Sequence, residues 1–297
     1  MRLAVTGKNG QVVSALLALA SAELEIVALG RPELDLAQPE TVLKALREVK
    51  PDAVVSAAAY TAVDKAESDP DIAFAVNQDG ARAVAQAASD LGIPLIHLST
   101  DYVFDGAKDT AYVESDATGP TSVYGRSKLE GERAVSEATD NYVVLRTAWV
   151  YSEYGNNFVK TMLRLSENRD EINVVADQFG CPTSANDIAA AVVTIARKLV
   201  EDSSAPLRGV FHLSGTGETN WANFAKQIFA FSAETGRKSI VVNDITTAQY
   251  PTLARRPANS RLDCSKLEEV YGIKLPSWQT STRAVVTALA QSKKETP

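Results

Sequence analysis

Through the first half of the chain, short and nearly unbroken apolar runs alternate with stretches in which apolar residues recur every three or four positions. The runs are RLAVT (2–6), EIVAL (25–29), DAVVSAA (52–58), PLIHLS (94–99) and YVVLR (142–146). Continuous apolarity predicts parallel strands covered on both faces, because a half-exposed strand would alternate. Between the runs, QVVSALLALA (11–20), PETVLKALREV (39–49), PDIAFAVNQDGARAVAQAASDLG (70–92) and SVYGRSKLEGERAVSEA (122–138) have helical spacing. Gly92, followed by Pro94, stops the third of these helices. Strand, helix, strand in repetition predicts right-handed crossovers and an α/β fold with a doubly wound parallel sheet of Rossmann type.

After residue 150 the pattern loosens. NNFVKTMLRLSEN (156–168), SANDIAAAVVTIARKLV (184–200) and TNWANFAKQIFAFSAETG (219–236) read as helices, with INVV (172–175) and GVFHLS (209–214) as short strands. Pro and Gly punctuation is denser here, in FGCPT, GTGET, YPTLARRPANS and LPSW. The expected organisation is a first domain over 1–150 and a smaller mixed α/β substrate domain over 151–297, with later segments free to return to the sheet. A cleft between two such lobes is a common place for a ligand.

Composition narrows the partners. The chain has 297 residues and a net charge of −7, which argues against nucleic acid or an anionic membrane surface as a partner. No apolar run approaches the roughly 18 residues of a membrane span. Two cysteines, Cys181 and Cys264, are too few for a disulfide framework, and the chain enters its first strand without the layout of a signal peptide. A cytoplasmic protein is expected. His97 and His212 lie inside apolar runs without metal-ligand spacing, so both are expected in the core and no metal is expected.

The first strand leads into Gly7-Lys8-Asn9-Gly10-Gln11-Val12-Val13. Gly7 and Gly10 suit the tight turn and the close approach of a pyrophosphate in a dinucleotide fingerprint, while Val13 stands where the third glycine would pack. Backbone N–H groups at the following helix start would face the phosphates. By itself the turn fits a plain glycine corner as well. At the end of the second strand, where an acidic residue would bind a ribose 2′-hydroxyl, stand Gly30 and Arg31. An arginine there suits a 2′-phosphate and so NADPH, with NADH as the alternative; a surface turn is the plainer reading. Asp35 and Leu36 follow at a position that can flank an adenine.

Thr100 falls at the carboxyl end of the fourth strand, where ligands bind in such sheets. Tyr124 and Lys128 share one helical face at i and i+4. A phenol is a poor proton carrier at neutral pH until a nearby cation favours the phenolate, and an ammonium one turn away supplies that cation. Thr100 can bond the same substrate oxygen and orient it.

The glycine turn, AAAYTAVDKAE (57–67), STDYVF (99–104) and YGRSK (124–128) resemble the extended short-chain dehydrogenase/reductase family. LRTAWVY (145–151), GNNFVKTMLRL (155–165), DQFGCPT (177–183) and ARRPANSRLD (254–263) sharpen the resemblance to its dTDP-4-dehydrorhamnose reductase branch. The resemblance spans nearly the whole chain. It implies reduction of a dTDP-4-keto-6-deoxy sugar, with Tyr124 as general acid, Lys128 tuning the phenol and holding the ribose, and Thr100 completing the triad. It further implies a cofactor site built from Gly7, Asn9, Gly10, Gln11, Val12, Arg31, Asp35, Leu36, Ala57, Ala58, Ala59, Lys65 and Asn77, together with Tyr124 and Lys128. The implied substrate site uses Thr100, Asp101, Val103, Phe104, Tyr124, Trp149, Asn157, Gln178, Phe179, Arg256, Asn259 and Arg261. Arginines on a Pro-containing loop suit a diphosphate, since a guanidinium pairs two oxygens at once.

Two departures matter. Val13 replaces the third glycine, so the first helix is expected slightly farther from the sheet. Val13-Ser14-Ala15-Leu16 also lacks the glutamate that binds magnesium at a dimer interface in some relatives, which leaves a monomer or a homodimer open. Two other readings stand beside the first: a 4-ketoreductase for another dTDP-deoxysugar, and an NADP-binding regulatory partner like the beta subunit of methionine adenosyltransferase.

Overall fold

The computed structural model describes residues 1–292. Five strands, β1 (Arg2–Thr6), β2 (Glu25–Leu29), β3 (Ala53–Ser56), β4 (Leu95–Thr100) and β5 (Tyr142–Thr147), are joined by a sixth strand, Gly209–His212. The sheet runs in the order Gly209–His212, β5, β4, β3, β1, β2, and every neighbouring pair is parallel. Leu3, Val55, Ile96 and Leu145 face one apolar layer, and Ala4, Val54, Leu95 and Val144 the other, which is why these runs carry no alternation. The order reverses between β1 and β3, and the crevice beyond their carboxyl ends is where such sheets take ligands. Gly7 follows β1 and Ala57 follows β3, so both flank that crevice.

The expected strand bounds agree with the observed ones to within two residues. The helix expected over 70–92 is instead interrupted: Pro70–Phe74 and Gly80–Leu91 are α-helical, and Ala75–Asp79 is a π turn. The extra residue turns Asn77 inward, where its Oδ1 accepts the Tyr60 N–H at 2.8 Å and its amide donates to the Tyr60 carbonyl and the Ser127 hydroxyl. A sequence pattern cannot show this insertion, because a contact 50 positions away stabilises it. Gly131 on the facing helix Val123–Ala138 lies so close to the Asn77 carbonyl that any Cβ would collide with it.

Later segments do return to the sheet. Helix Ala185–Glu201 packs on the layer of Leu3 and Leu145, beside Phe211, Leu213 and Tyr271. A separate apolar cluster joins Tyr151, Val159, Ile172, Phe224, Phe229, Trp278 and Val286 around the two-stranded pair Glu171–Val175 and Val241–Ile245. Residues 293–297 of the expected substrate domain lie outside the described residues. No helix among the described residues is long and apolar enough to cross a membrane.

Candidate active site

The turn after β1 is a tight glycine corner. Gly7 has φ +99°, open to glycine and strained for other residues, and its N–H donates to the Leu29 carbonyl at 2.6 Å. Gly10 precedes helix Gln11–Leu17 in extended backbone, and that helix start has no side-chain cap of its own. Its N–H groups thus remain available to an anion. Val13 is buried, with its Cγ2 at 3.4 Å from where a Gly7 Cβ would stand, so it fills the packing role left by the missing glycine. The Thr6 hydroxyl accepts the N–H groups of Ala57 and Ala58 at 3.0 Å each, which draws the ends of β1 and β3 together.

At the end of β2 the Lys8 side chain lies across Gly30, with its Cγ at 3.1 Å from a Cβ placed there. Its ammonium donates to the Arg31 carbonyl at 3.2 Å and pairs with Glu33 at 2.5 Å. The exposed Arg31 guanidinium has no hydrogen bond or ion pair among the described residues. Glycines at the turn, uncapped N–H groups and a free guanidinium at this corner fit a dinucleotide with a 2′-phosphate.

Thr100 ends β4 and Tyr124 begins helix Val123–Ala138, whose N-cap Ser122 accepts the Gly125 N–H at 3.1 Å. Gly125 lies against the Tyr102 carbonyl with no room for a Cβ, so this close approach requires a glycine. The approach sets the Tyr124 phenol near Thr100, at the end of β4. Burial raises the phenol above its usual range and Thr100 pulls it back, so Tyr124 rests protonated, as a proton donor must. Lys128, one turn on, is buried, and burial pushes its ammonium down to about 8. Its Nζ donates to the Leu98 carbonyl at 2.7 Å and stands 3.4 Å from His97 Nε2. His97 is in the core, as expected, and it also touches the lysine of the triad.

Beyond Tyr102, whose ring meets Tyr124 edge-on at 5.5 Å between centroids, opens a cavity of about 850 Å³. Trp149, Gln178 and Arg256 line it, with Trp221, Met162, Tyr250 and Ser260. Arg256 pairs with Asp64 at 2.5 Å and reaches the Tyr102 hydroxyl at 3.4 Å. Asp64, Tyr102 and Trp221 had no part in the expected site. Asp64 and Tyr102 sit inside the quoted motifs, whereas Trp221 gave no signal beyond a helical pattern.

Other expected residues take different places. Val103 and Phe104 are fully buried, and Phe104 stacks on Tyr112 at 4.1 Å, so both are core rather than ligand contacts. Leu36 is core as well, against Gly80. Lys65 turns to solvent and pairs with Asp69 at 3.4 Å. Asn77 locks backbone, as described above. Gln11 and Asn157 hold each other at 2.9 Å instead of facing open space. Arg261 lines a smaller pocket, with its guanidinium committed to Glu218, the Asn259 side chain and the Asp109 carbonyl. Asn259 clamps the Lys108 and Thr110 carbonyls, and Phe179 lies beneath Arg261. The loop 254–263 therefore sends Arg256 into the cavity and uses Arg261 to brace itself.

A family model described as the RmlD substrate binding domain matches residues 1–291. A dTDP-4-dehydrorhamnose reductase of Sinorhizobium fredii is 62% identical over 295 residues, covering 99% of this chain and all of that one. The chain belongs to the dTDP-4-dehydrorhamnose reductase family. Two solved members share 36% identity: one from Clostridium acetobutylicum has a TM-score of 0.90, and one from Bacillus anthracis, in complex with NADP, 0.89. Each comparison covers 97% of this chain and 99% of the other. Among dTDP-4-dehydrorhamnose reductases, then, this one pairs a Gly30-Arg31 corner with a valine in the third glycine position.

Proposed function

We propose that this chain reduces the C4 keto group of dTDP-4-dehydro-6-deoxy-L-mannose to dTDP-L-rhamnose with NADPH, in a reducing cytoplasm that suits its free thiols Cys181 and Cys264. The observation that supports the reading is Tyr124 near Thr100, with Lys128 one helical turn on, packed against the Tyr102 ring that borders the 850 Å³ cavity and accompanied by a glycine turn suited to a dinucleotide. Bound NADPH would supply the hydride to C4. Tyr124 gives its proton to the C4 oxygen, and Thr100 fixes the direction of that phenol. Lys128 holds positive charge beside the developing phenolate and beside the nicotinamide ribose. Gly7, Gly10 and the helix start after them cradle the pyrophosphate, with Arg31 on the 2′-phosphate. Arg256 binds the sugar-nucleotide diphosphate by exchanging its Asp64 partner, and the apolar wall of Trp149, Trp221 and Met162 suits an apolar C6 methyl. The sheet with its glycine turn serves as the cofactor lobe and the cluster around Tyr151 and Phe224 as the sugar lobe.

The test is NADPH consumption with enzymatically made dTDP-4-keto sugar, with the product identified by NMR. Tyr124→Phe should cut kcat by about 10²–10⁴-fold while leaving NADPH binding near wild type. A variant that keeps the wild-type rate defeats the mechanism. Production of a different dTDP-deoxysugar in preference to rhamnose would move the substrate and keep the chemistry.

A further inference from the structure

The chain has two histidines, and one of them lies against Lys128. Ser56 of β3 and His97 of β4 are direct neighbours in the parallel register. They stand two positions beyond Val54 and Leu95, and so point into the same layer, under helix Val123–Ala138. Ser56, His97 and Lys128 are each 2% exposed. His97 Nδ1 stands 3.1 Å from the Ser56 hydroxyl and Nε2 3.4 Å from Lys128 Nζ, which also donates to the Leu98 carbonyl at 2.7 Å.

Counting hydrogens gives each atom its role. An ammonium has three hydrogens and no lone pair, so His97 Nε2 accepts, and the ring hydrogen sits on Nδ1 and goes to Ser56. Burial, with the Lys128 charge added to it, holds His97 well below its usual titration, so the ring stays neutral. One Lys128 N–H goes to Leu98 and one to His97, which leaves the third. A neutral acceptor steadies the ammonium without cancelling its charge, as a carboxylate in the same place would. Glu132, one turn on along the helix, is committed instead to Arg146 of β5 and to the Ser99 hydroxyl. Of the other charged and titratable groups near this helix, Asp101 and Tyr102, on the turn after β4, act on the Tyr124 phenol one turn back. Glu67 accepts the Val123 N–H at 2.8 Å, and Arg82 of helix Gly80–Leu91 pairs with exposed Glu137.

We propose that His97, oriented by Ser56, is a positioning residue that holds the Lys128 ammonium on the sheet with one N–H left for the cofactor ribose. This rests on the reading of Lys128 as the cation beside Tyr124 and the ribose. Two hydrogen bonds select one of the many positions open to a flexible lysine side chain. Without the ring, a buried N–H loses its acceptor and the ammonium becomes costlier to keep. The charge that meets the developing phenolate is then lost at a lower pH.

Wild-type enzyme is assayed first with NADPH and dTDP-4-keto sugar; absence of turnover there overturns the functional reading, and with it the ribose part of this one. A long-range proton–nitrogen correlation spectrum of isotope-labelled wild type at pH 7 reads the ring without any turnover. The His97 signals, identified by their loss in His97→Gln, should be those of a neutral ring protonated on Nδ1. A ring protonated on Nε2, or on both nitrogens, overturns the proposal. His97→Leu should move the alkaline limb of kcat/KM down by about one pH unit, the scale of one hydrogen bond to a charged group. It should also raise the KM for NADPH about tenfold and keep that for the sugar nucleotide within about twofold. His97→Gln, which can place an acceptor where Nε2 stood, should restore both. A ring that only fills the core would cost stability in either variant and leave the limb in place. An unmoved limb, or Leu and Gln variants that behave alike, overturns the proposal. Should His97→Leu fail to fold, Ser56→Ala takes its place: with the ring no longer oriented the limb should again move down, and an unmoved limb overturns the proposal.

Discussion

The indole of Trp149 lies flat on that of Trp221, with ring centroids 3.6 Å apart and planes within 13°. Trp149 takes this place with φ +51°, a left-handed backbone that a bulky residue rarely adopts. Its ring also passes Gly180 so closely that a Cβ there would stand 2.5 Å from Cε2. The indole is thus stacked on Trp221 and in close contact with the Gly180 backbone as well. Gly180→Ala should push the ring off its partner at a cost of about 1–3 kcal/mol in stability. The near-UV circular dichroism of the tryptophan pair should fall and the KM for sugar nucleotide rise, while NADPH affinity stays put; an unchanged dichroism spectrum would refute this.

The corner formed by Lys8, Gly30 and Arg31 should decide between the two nicotinamide cofactors. Arg31→Ala should weaken NADPH binding roughly tenfold and leave NADH alone, the scale of one charge-assisted hydrogen bond. Lys8→Met should act in the same direction, and Glu33→Gln should tighten NADPH by freeing the ammonium it now holds at 2.5 Å. Fluorescence titration with both cofactors reads all three, and equal losses for NADH and NADPH would contradict the assignment.

Lys128 makes stability depend on alkaline pH. Burial places its titration at about 8 in the folded chain, below the ordinary 10.5 of the unfolded one. Between those values the unfolded chain binds more protons, so folding gains as pH rises from 8 toward 10.5, and below 8 the cost of the buried charge is constant. Relative to Lys128→Met, wild type should gain up to about 3 kcal/mol across that window. Urea unfolding at pH 7.5 and pH 10 measures the difference; a constant gap between the two proteins would disprove it.

Beneath the triad, Arg146 on β5 pairs with Glu132 at 2.6 Å, both side chains 6% exposed, and the Ser99 hydroxyl donates to the same carboxylate at 2.5 Å. Glu132→Ala should lower stability by about 3–5 kcal/mol, because it strands a buried guanidinium. Replacing both partners with apolar residues of similar volume should recover most of that loss. Chemical denaturation of the single and double variants would show whether recovery occurs.

The sheet was legible in the sequence because burial on both faces leaves a signal that needs no tertiary knowledge. Thr100, Tyr124 and Lys128 were legible for a similar reason: a strand end and one helical turn set their spacing. The rest depended on partners far along the chain. Arg261 resembles a phosphate ligand until Glu218, 43 positions away, is seen to hold it. Lys65 looks well placed until Asp69 turns it outward, and Phe104 sits in a binding motif but serves the core. The π turn at Asn77 is invisible to periodicity because it answers to Tyr60 and Ser127. Asp101 sits in a binding motif, yet its carboxyl is buried and its Oδ1 accepts the neighbouring Thr100 hydroxyl.

Gln11, one residue past the glycine turn, reaches far across the molecule. Its side chain donates to the Val150 carbonyl at 3.3 Å and accepts from the Ser152 hydroxyl and the Asn157 amide at 2.9 Å each. Asn157 in turn caps the helix Phe158–Leu165, whose residues wall the 850 Å³ cavity. The first helical residue after the glycine turn is therefore tied to the segment that leads into the cavity wall. Any rearrangement that parts the glycine turn from residues 150–157 must first break these three hydrogen bonds.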